Sequence, residues 1–224
     1  TSGGAQARYV VDGGPGDAFL ARLTPDLSIG CSADATTLCL NGGRFQVQVR
    51  WTTPQQQTGA GQAVTLTSDT GYFWFFSASN VEIVVKVLDG RAFNGRFWVF
   101  AGGLTNVAVV LTVTDTFTGA IRTYANPQGV AFQPIQDTSA FAASGGPGEV
   151  SSPAAARSTP IVNSPRGPCV ADATTLCLNG GRFQVRTQWT TAPGQSGAGR
   201  AVALTGDTGY FWFFSPSNVE MVVK

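Results

Sequence analysis

The chain contains one stretch of sequence twice, and the second copy stops partway through the pattern. Residues 31–86 align without a gap to residues 169–224 at a constant offset of 138, and 43 of the 56 aligned positions are identical. The first copy continues to about residue 141, and nothing in the sequence continues the second copy. Because half of a β-domain cannot bury its own apolar side chains, we expect either a fragment or a second copy that a partner completes.

The repeat divides the sequence into four segments. We predict a leader at residues 1–30, a complete β-sandwich repeat at residues 31–141, a linker at residues 142–168 and a partial β-sandwich repeat at residues 169–224. The linker contains five prolines and four glycines. This composition is typical of an extended connection without a packed core.

Apolar residues in the complete repeat recur with a period of two, which predicts β-strands. One face of residues 44–51 is polar, and the other face carries Phe45, Val47, Val49 and Trp51. In residues 62–67 the same periodicity predicts that Val64 and Leu66 point inward. Five further strands are predicted, with no helix, at residues 71–76, 80–88, 95–101, 106–114 and 120–125. This pattern favours an all-β fold, an antiparallel β-sandwich of immunoglobulin-like size, with a closed barrel as the alternative.

The four cysteines form two pairs with the same spacing, Cys31 with Cys39 and Cys169 with Cys177. We predict two local disulfides and therefore an oxidising compartment, which places the protein outside the cell or at its surface. Buried reduced thiols are the alternative. A zinc site fits less well, because structural zinc sites usually have shorter Cys spacing and the two pairs lie in different repeats.

Charge and residue types exclude several functions. The net charge is +1 and no run of about 18 apolar residues occurs, so we expect neither nucleic-acid binding nor membrane insertion. The chain has no histidine, and with its cysteines in disulfides it cannot form a Ser-His-Asp or Cys-His site. We therefore expect no catalytic residue, no cofactor and no metal, with a loop calcium site as an alternative. The acidic residues considered for glycoside chemistry are Asp69, Glu82, Asp89 and Asp115.

Two aromatic runs invite a carbohydrate-stacking interpretation. For residues 72–76 a buried strand explains the pattern better. For residues 95–100 the core is also favoured, but Trp98 and Phe100 share a face with Arg96. A surface polysaccharide is therefore a possible partner.

Several longer motifs are similar to a known pattern. Residues 38–45, 66–76, 80–90, 95–100 and 111–124 resemble a recurrent domain of predicted secreted bacterial proteins. The resemblance implies an accessory module of extracellular proteins and adds no catalytic residue. The second copy departs from this pattern because it lacks the last three strands.

The partial repeat leads to a hypothesis about assembly. Burying one large apolar side chain is worth roughly 1.5–3 kcal/mol, so about a dozen unburied ones would exceed the usual stability of a domain. We expect strand addition by the leader of another copy, which gives a head-to-tail extracellular filament or pilus-like homopolymer. The alternatives are a monomeric secreted binding or adhesion module, seen as a truncated chain, and a carbohydrate-recognition module. Donor candidates are Tyr9, Val10, Val11, Phe19, Leu20 and Leu23. Acceptor candidates are Val202, Leu204, Tyr210, Trp212, Phe214, Val219, Met221 and Val223.

Overall fold

The computed structural model describes residues 30–143 and 169–224, which we call the first and second repeat. Both are built from antiparallel β-strands, with one short helix, α1 (Arg91–Asn94). The strands of the first repeat are β1 (Thr37–Leu40), β2 (Phe45–Thr52), β3 (Thr58–Ala60), β4 (Gln62–Thr65), β5 (Thr70–Trp74), β6 (Ile83–Gly90), β7 (Arg96–Gly103), β8 (Ala108–Asp115), β9 (Ile121–Asn126) and β10 (Ile135–Ala142). Those of the second repeat are β11 (Leu176–Leu178), β12 (Phe183–Val185), β13 (Gln188–Thr190), β14 (Ser196–Ala198), β15 (Arg200–Ala203), β16 (Gly209–Trp212) and β17 (Met221–Val223).

The first repeat has two separate five-stranded sheets. One has the order β1-β2-β8-β9, with β3 also paired to β2, and the other has the order β10-β7-β6-β5-β4. No β-ladder joins the two sheets within residues 30–143. This arrangement is consistent with the predicted sandwich and differs from the alternative of a closed barrel.

The core of the first repeat lies between the two sheets. Phe45 and Val47 of β2 are fully buried, and so are Val85 of β6 and Val99 of β7 on the opposite sheet. These side chains face inward because alternate residues of a strand point to opposite faces. Residues 30–143 thus contain a closed core made entirely of their own strands.

Two polar contacts join residues that are far apart in the sequence of the first repeat, one within a sheet and one between the sheets. Arg44 donates from Nε to Asp115 Oδ1 at 3.2 Å and from Nη2 to Oδ2 at 2.8 Å, and the Asp115 side chain is completely buried. Tyr124 of β9 donates its hydroxyl to Asp137 of β10 at 2.8 Å, which links the two sheets. Burial, together with this hydrogen bond, raises the pKa of Tyr124 above its ordinary value.

The sequence predictions for the strands are largely confirmed, with specific differences. All seven predicted strands are present, and the structure adds β1, β3, β10 and helix α1. The predicted inward orientation of Val64 and Leu66 is wrong. Ala63 packs against the core instead, because β4 pairs with β5 so that Ala63 lies opposite the fully buried Phe73. A shift of one residue along a strand exchanges its two faces.

The second repeat consists of three small sheets within residues 169–224. Strands β11 and β12 form one pair, β13 and β14 form another, and β15-β16-β17 form a three-stranded sheet. Its core of fully buried apolar residues is small, consisting of Leu176, Leu178 and Phe211. The registers match those of the first repeat: Cys177 lies opposite Gln184 as Cys39 lies opposite Gln46.

Replacing Asp115 tests the contribution of the buried ion pair. We expect Asp115→Ala to lower the free energy of unfolding of the first repeat by about 3–5 kcal/mol, because it leaves the guanidinium of Arg44 without its partner. Asp89→Ala removes the exposed pair with Arg91 and is expected to cost less than about 1 kcal/mol. Urea denaturation followed by hydrogen exchange of β8 measures both. Equal losses for the two variants would contradict the assigned role of Asp115.

Candidate functional site

The inner face of the second repeat is open to solvent where the first repeat is closed. Phe45 is fully buried, whereas its equivalent Phe183 is 49% exposed. Ile83 is fully buried, whereas its equivalent Met221 is 43% exposed. In the first repeat this face is covered by strands β7 to β10, and residues 169–224 contain no equivalent of them. We call the exposed surface around Phe183 and Met221 the open face.

Polar groups of the second repeat also lack the partners that their equivalents have. Arg44 binds Asp115 on β8, whereas the equivalent Arg182 has no ion pair within residues 169–224. Buried Trp189 Nε1 has no hydrogen-bond partner among the described residues, whereas Trp51 Nε1 donates to a backbone carbonyl at 3.3 Å. A buried donor without a partner costs roughly 1–3 kcal/mol. The open face is thus incomplete in ion pairing, through Arg182, as well as in apolar packing. The unpaired Trp189 Nε1 is a separate difference, because Ala198, the equivalent of Ala60, is present in β14.

The open face lacks a strand on each of its two sides. In the first repeat β6 pairs with β7. The equivalent of β6 in the second repeat is β17, and β7 has no equivalent within residues 169–224. In the same way β2 pairs with β8. The equivalents of β2 are β12 and β13, and β8 has no equivalent within residues 169–224. Backbone groups along both edges are therefore available for pairing. Any segment that closes the open face must supply two strands, one to each edge.

The structure places the predicted acceptor residues on both sides of the small sheet. Val223 packs against the small core, and Met221 is on the same face of β17. Ala201, Phe211 and Phe213 point to the core. Each of them is adjacent in sequence to one or two of the other candidates. By strand alternation Val202, Tyr210 and Trp212 therefore face away from it, whereas Phe214 follows β16 and contacts Trp189. Of the remaining two, Leu204 lies outside the strands and Val219 is 6% exposed just before β17.

Two informative residues of the open face lie outside the predicted acceptor set, although the sequence already indicates that Phe183 lacks a facing sheet. Phe183 and Arg182 show the missing strands most directly, because their equivalents in the first repeat contact β7 and β8. The alignment of Arg44 with Arg182 in the two copies was the sequence signal that could have identified Arg182. The predicted donor residues at positions 9–11 and 19–23, and the predicted linker from residue 144 onward, lie outside the described residues.

Both predicted disulfides are present. Cys31 and Cys39 are bonded with 5.5 Å between their Cα atoms, and Cys169 and Cys177 with 5.8 Å. Such bonds indicate an oxidising environment of the extracellular kind. Within residues 30–143 and 169–224, no helix is long and apolar enough to cross a membrane.

The candidate carboxylates are engaged in local contacts. Asp69 accepts hydrogen bonds from two threonine hydroxyls at 2.7 and 2.8 Å, and Glu82 accepts one from the amide of Asn80 at 2.5 Å. Hydrogen bonds from Arg91 lower the pKa of Asp89. Among the described residues, no group of three or more potential metal ligands is assembled.

Aromatic side chains form an exposed cluster on the first repeat. The Phe93 side chain is 80% exposed, its ring centroid lies 5.6 Å from that of Trp98, and Phe100 lies 6.2 Å further along. The indole N–H of Trp98 donates to Asn94 Oδ1 at 2.8 Å, which fixes the ring orientation. A separate exposed ring, Phe76, lies just after the end of β5. It is 55% exposed and contacts Trp51. A shallow cleft of about 620 Å³ adjoins Phe76.

Comparisons with known proteins do not assign a family. No protein-family model matches the chain, and no curated protein and no solved structure is significantly similar to it. The similarity to a domain of predicted secreted bacterial proteins therefore stays a prediction from sequence motifs. The features of the described residues that bear on function are the open face, the disulfides and the exposed aromatic residues.

Equivalent phenylalanines test the difference between the closed and the open face. We expect Phe45→Ala to destabilise the first repeat by about 3–5 kcal/mol, because it creates a cavity among buried rings. Phe183→Ala should destabilise the second repeat by less than half as much, since its side chain is already half exposed. The measurement is urea denaturation at low protein concentration, with hydrogen exchange resolving β2 and β12. Similar losses at both positions would show that Phe183 is covered in solution.

Proposed function

We propose that the chain is a non-catalytic structural subunit of an extracellular filament, assembled head to tail by strand complementation. In this proposal it contains one complete β-sandwich repeat of immunoglobulin-like size and one partial repeat. The observation that carries the proposal is the exposure of Phe183, 49% against 0% for Phe45. A surface that is core in one copy and solvent-exposed in the other favours a cover, and in the first repeat the equivalent surface is covered by β-strands.

The unsatisfied groups of the open face support strands over other covers. A lipid or a small apolar ligand would bury Phe183 and Met221, but it would offer nothing to the backbone edges of β12 and β17. It would also leave the guanidinium of Arg182 without an acidic partner. Added strands satisfy apolar side chains and edge hydrogen bonds together, which is the basis of strand addition between subunits.

The proposed donor is the leader of another copy. Its sequence has two short apolar stretches, at residues 8–11 and 18–23, separated by six residues that include three glycines and a proline. Two stretches match the requirement for two strands, one at each edge of the open face. Phe19, Ala21 and Leu23 alternate as Phe97, Val99 and Ala101 do on β7. Since donor and acceptor are different surfaces, the contact is heterologous and extends into a chain of subunits unless a ring closes.

Deletion of the leader tests the donor. We expect the full chain to form regular filaments in negative-stain electron microscopy, and a variant without residues 1–24 to remain as single particles. The deletion should leave the first repeat folded, because residues 30–143 hold their own core. Filaments formed by the deletion variant would contradict the assignment of the leader as donor.

A completed second repeat provides the matched control for the acceptor. A second copy of residues 87–143 appended after Lys224 would supply the equivalents of β7 to β10 within the same chain. We expect this variant to keep its leader and yet form no filaments, because the open face is filled. If it polymerises as well as the original chain, the open face is not the acceptor.

The exposed aromatic cluster supports a second candidate, binding of a surface polysaccharide. Phe93, Trp98 and Phe100 present adjoining rings, and the Phe93 ring is 80% exposed. Sugar rings stack on such surfaces. We expect retention of the protein on a polysaccharide column that Trp98→Ala abolishes and Phe117→Ala, at a separate exposed ring, does not. The absence of retention on a panel of bacterial polysaccharides would eliminate this candidate.

A further inference from the structure

The two repeats contact each other through the same residues on each side. Lys86 of the first repeat donates to Asn218 Oδ1 and, at 3.1 Å, to the backbone carbonyl of Val219. Lys224 of the second repeat makes the same pair of contacts to the first repeat, with a distance of 2.8 Å to the carbonyl. The partners of Lys224 are Asn80 and Val81, the equivalents of Asn218 and Val219.

This reciprocity identifies the type of interface. The offset of 138 positions converts each contact into the other one. An interface in which residue i contacts j and the equivalent of j contacts the equivalent of i is isologous, as in a twofold dimer. Here the two partners are sequence repeats, so the twofold relation is approximate and lies within one chain.

Each lysine of this interface has two hydrogen-bond acceptors in the other repeat and an ion-pair partner in its own. Lys86 Nζ lies 3.4 Å from Asp69 Oδ2 of its own repeat, in addition to its two partners across the interface, and its side chain is 13% exposed. Lys224 lies 3.8 Å from Asp207 and is 19% exposed. An ammonium group has three donors, and both hydrogen bonds that each lysine makes among the described residues go to the other repeat.

The acceptor side chains are held in position by hydrogen bonds within their own repeat. Asp69 accepts from the hydroxyls of Thr67 and Thr70, and the amide N–H of Asn80 donates to Glu82. The second arrangement directs Asn80 Oδ1 toward the incoming lysine. The second repeat has the same hydrogen bonds with the same residue types, Thr205, Asp207, Thr208, Asn218 and Glu220. Such prior ordering lowers the entropic cost of association.

The surface next to Lys86 is also covered. Ile83, Val85 and Val87 of β6 point into the core, so Val84 lies on the outer face of the strand with Lys86. Val84 is nevertheless only 8% exposed. The sequence contains no lysine other than the two at the interface.

The geometry points to a self-recognition surface on the outer face of β6 and its equivalent β17, whose partner is a second copy of the same repeat. Two copies pair through reciprocal Lys–Asn contacts, whether they lie on one chain or on two. Within one chain this pairs the first repeat with the second. Between chains, the same surface pairs two first repeats when the second repeat of their own chain is absent.

The first test uses residues 30–143, which have a closed core and lack both the leader and the open face. We expect this segment to form a dimer in sedimentation equilibrium at concentrations up to about 1 mM. Lys86→Gln should raise the dimer dissociation constant roughly 100-fold, because charge-assisted hydrogen bonds are lost at two symmetric places. Arg91→Gln, which removes an exposed charge paired within its own repeat, is the control and should leave it unchanged. A segment that stays monomeric, or a dimer insensitive to Lys86→Gln, overturns the proposal.

The second test uses the full chain and a carbodiimide, which joins a lysine to a carboxylate in contact with it. Asn218→Asp and Asn80→Asp each place a carboxyl group beside the lysine of the other repeat. We expect new cross-links from Lys86 to position 218 and from Lys224 to position 80, identified by mass spectrometry. The cross-link between Lys86 and Asp69 serves as the internal control in each sample. Its presence without the new cross-links would show that the repeats do not pair in this way.

These tests are independent of the proposed filament. Residues 30–143 lack both the leader and the open face, and the cross-linking variants leave both unchanged. Filaments that persist when the cross-links are absent would support strand complementation and reject the self-recognition surface. If residues 30–143 form dimers and the full chain forms no filaments, the self-recognition surface is supported and strand complementation is rejected.

Discussion

Phe45 lies between two sheets, with its ring 4.9 Å from Phe97 and 5.1 Å from Phe141. Those two rings belong to β7 and β10 of the opposite sheet, so the burial of a residue near the start of the repeat depends on strands near its end. A β-sheet with an apolar face is stable in water only when another layer covers that face. The closed core of the first repeat and the open face of the second are two outcomes of this single requirement.

The two repeats also differ in how their equivalent arginines, Arg44 and Arg182, are paired. In the first repeat Arg44 lies within 4.2 Å of the Phe97 ring centroid and binds the buried carboxylate of Asp115. Both partners come from strands of the second half of the repeat. Since a guanidinium cannot lose its proton, Arg182 has to stay hydrated or find another acid. An acidic group on a partner strand would therefore contribute to specificity as well as to affinity.

Much of the fold was predictable because strand alternation is a strong signal when one face is buried. Residues 45–51 show it plainly, and the paired cysteines gave both disulfides. Strand β10 was missed because its sequence, IQDTSAFA, has only two buried residues at its end and a register irregularity between Asp137 and Phe141. The inward face of β4 was assigned wrongly because Val64 is more apolar than Ala63. The pairing of β4 with β5 places Ala63 opposite Phe73, so Ala63 faces the core.

The candidate site was less predictable than the fold. The sequence showed that strands were missing, but the acceptor candidates on β16, Tyr210 and Trp212, face away from the core, since an aromatic run such as residues 210–214 has no alternation to show which face is buried. The Lys–Asn contacts between the repeats had no sequence signal at all. They depend on the relative placement of two domains, and hydrophobic periodicity describes only the interior of each.

The disulfides have a mechanical consequence. Cys31 is bonded to Cys39 in the middle of β1, and Cys31 N–H also donates to the carbonyl of Gly43 at 2.7 Å. Tension applied through the chain before Cys31 therefore passes across the sulfur atoms into β1, and residues 32–38 carry none of it. The same holds for Cys169 and Cys177. A string of such repeats under load would keep these loops unextended until the sheets themselves separate, so each repeat would release less length on yielding than its residue count implies.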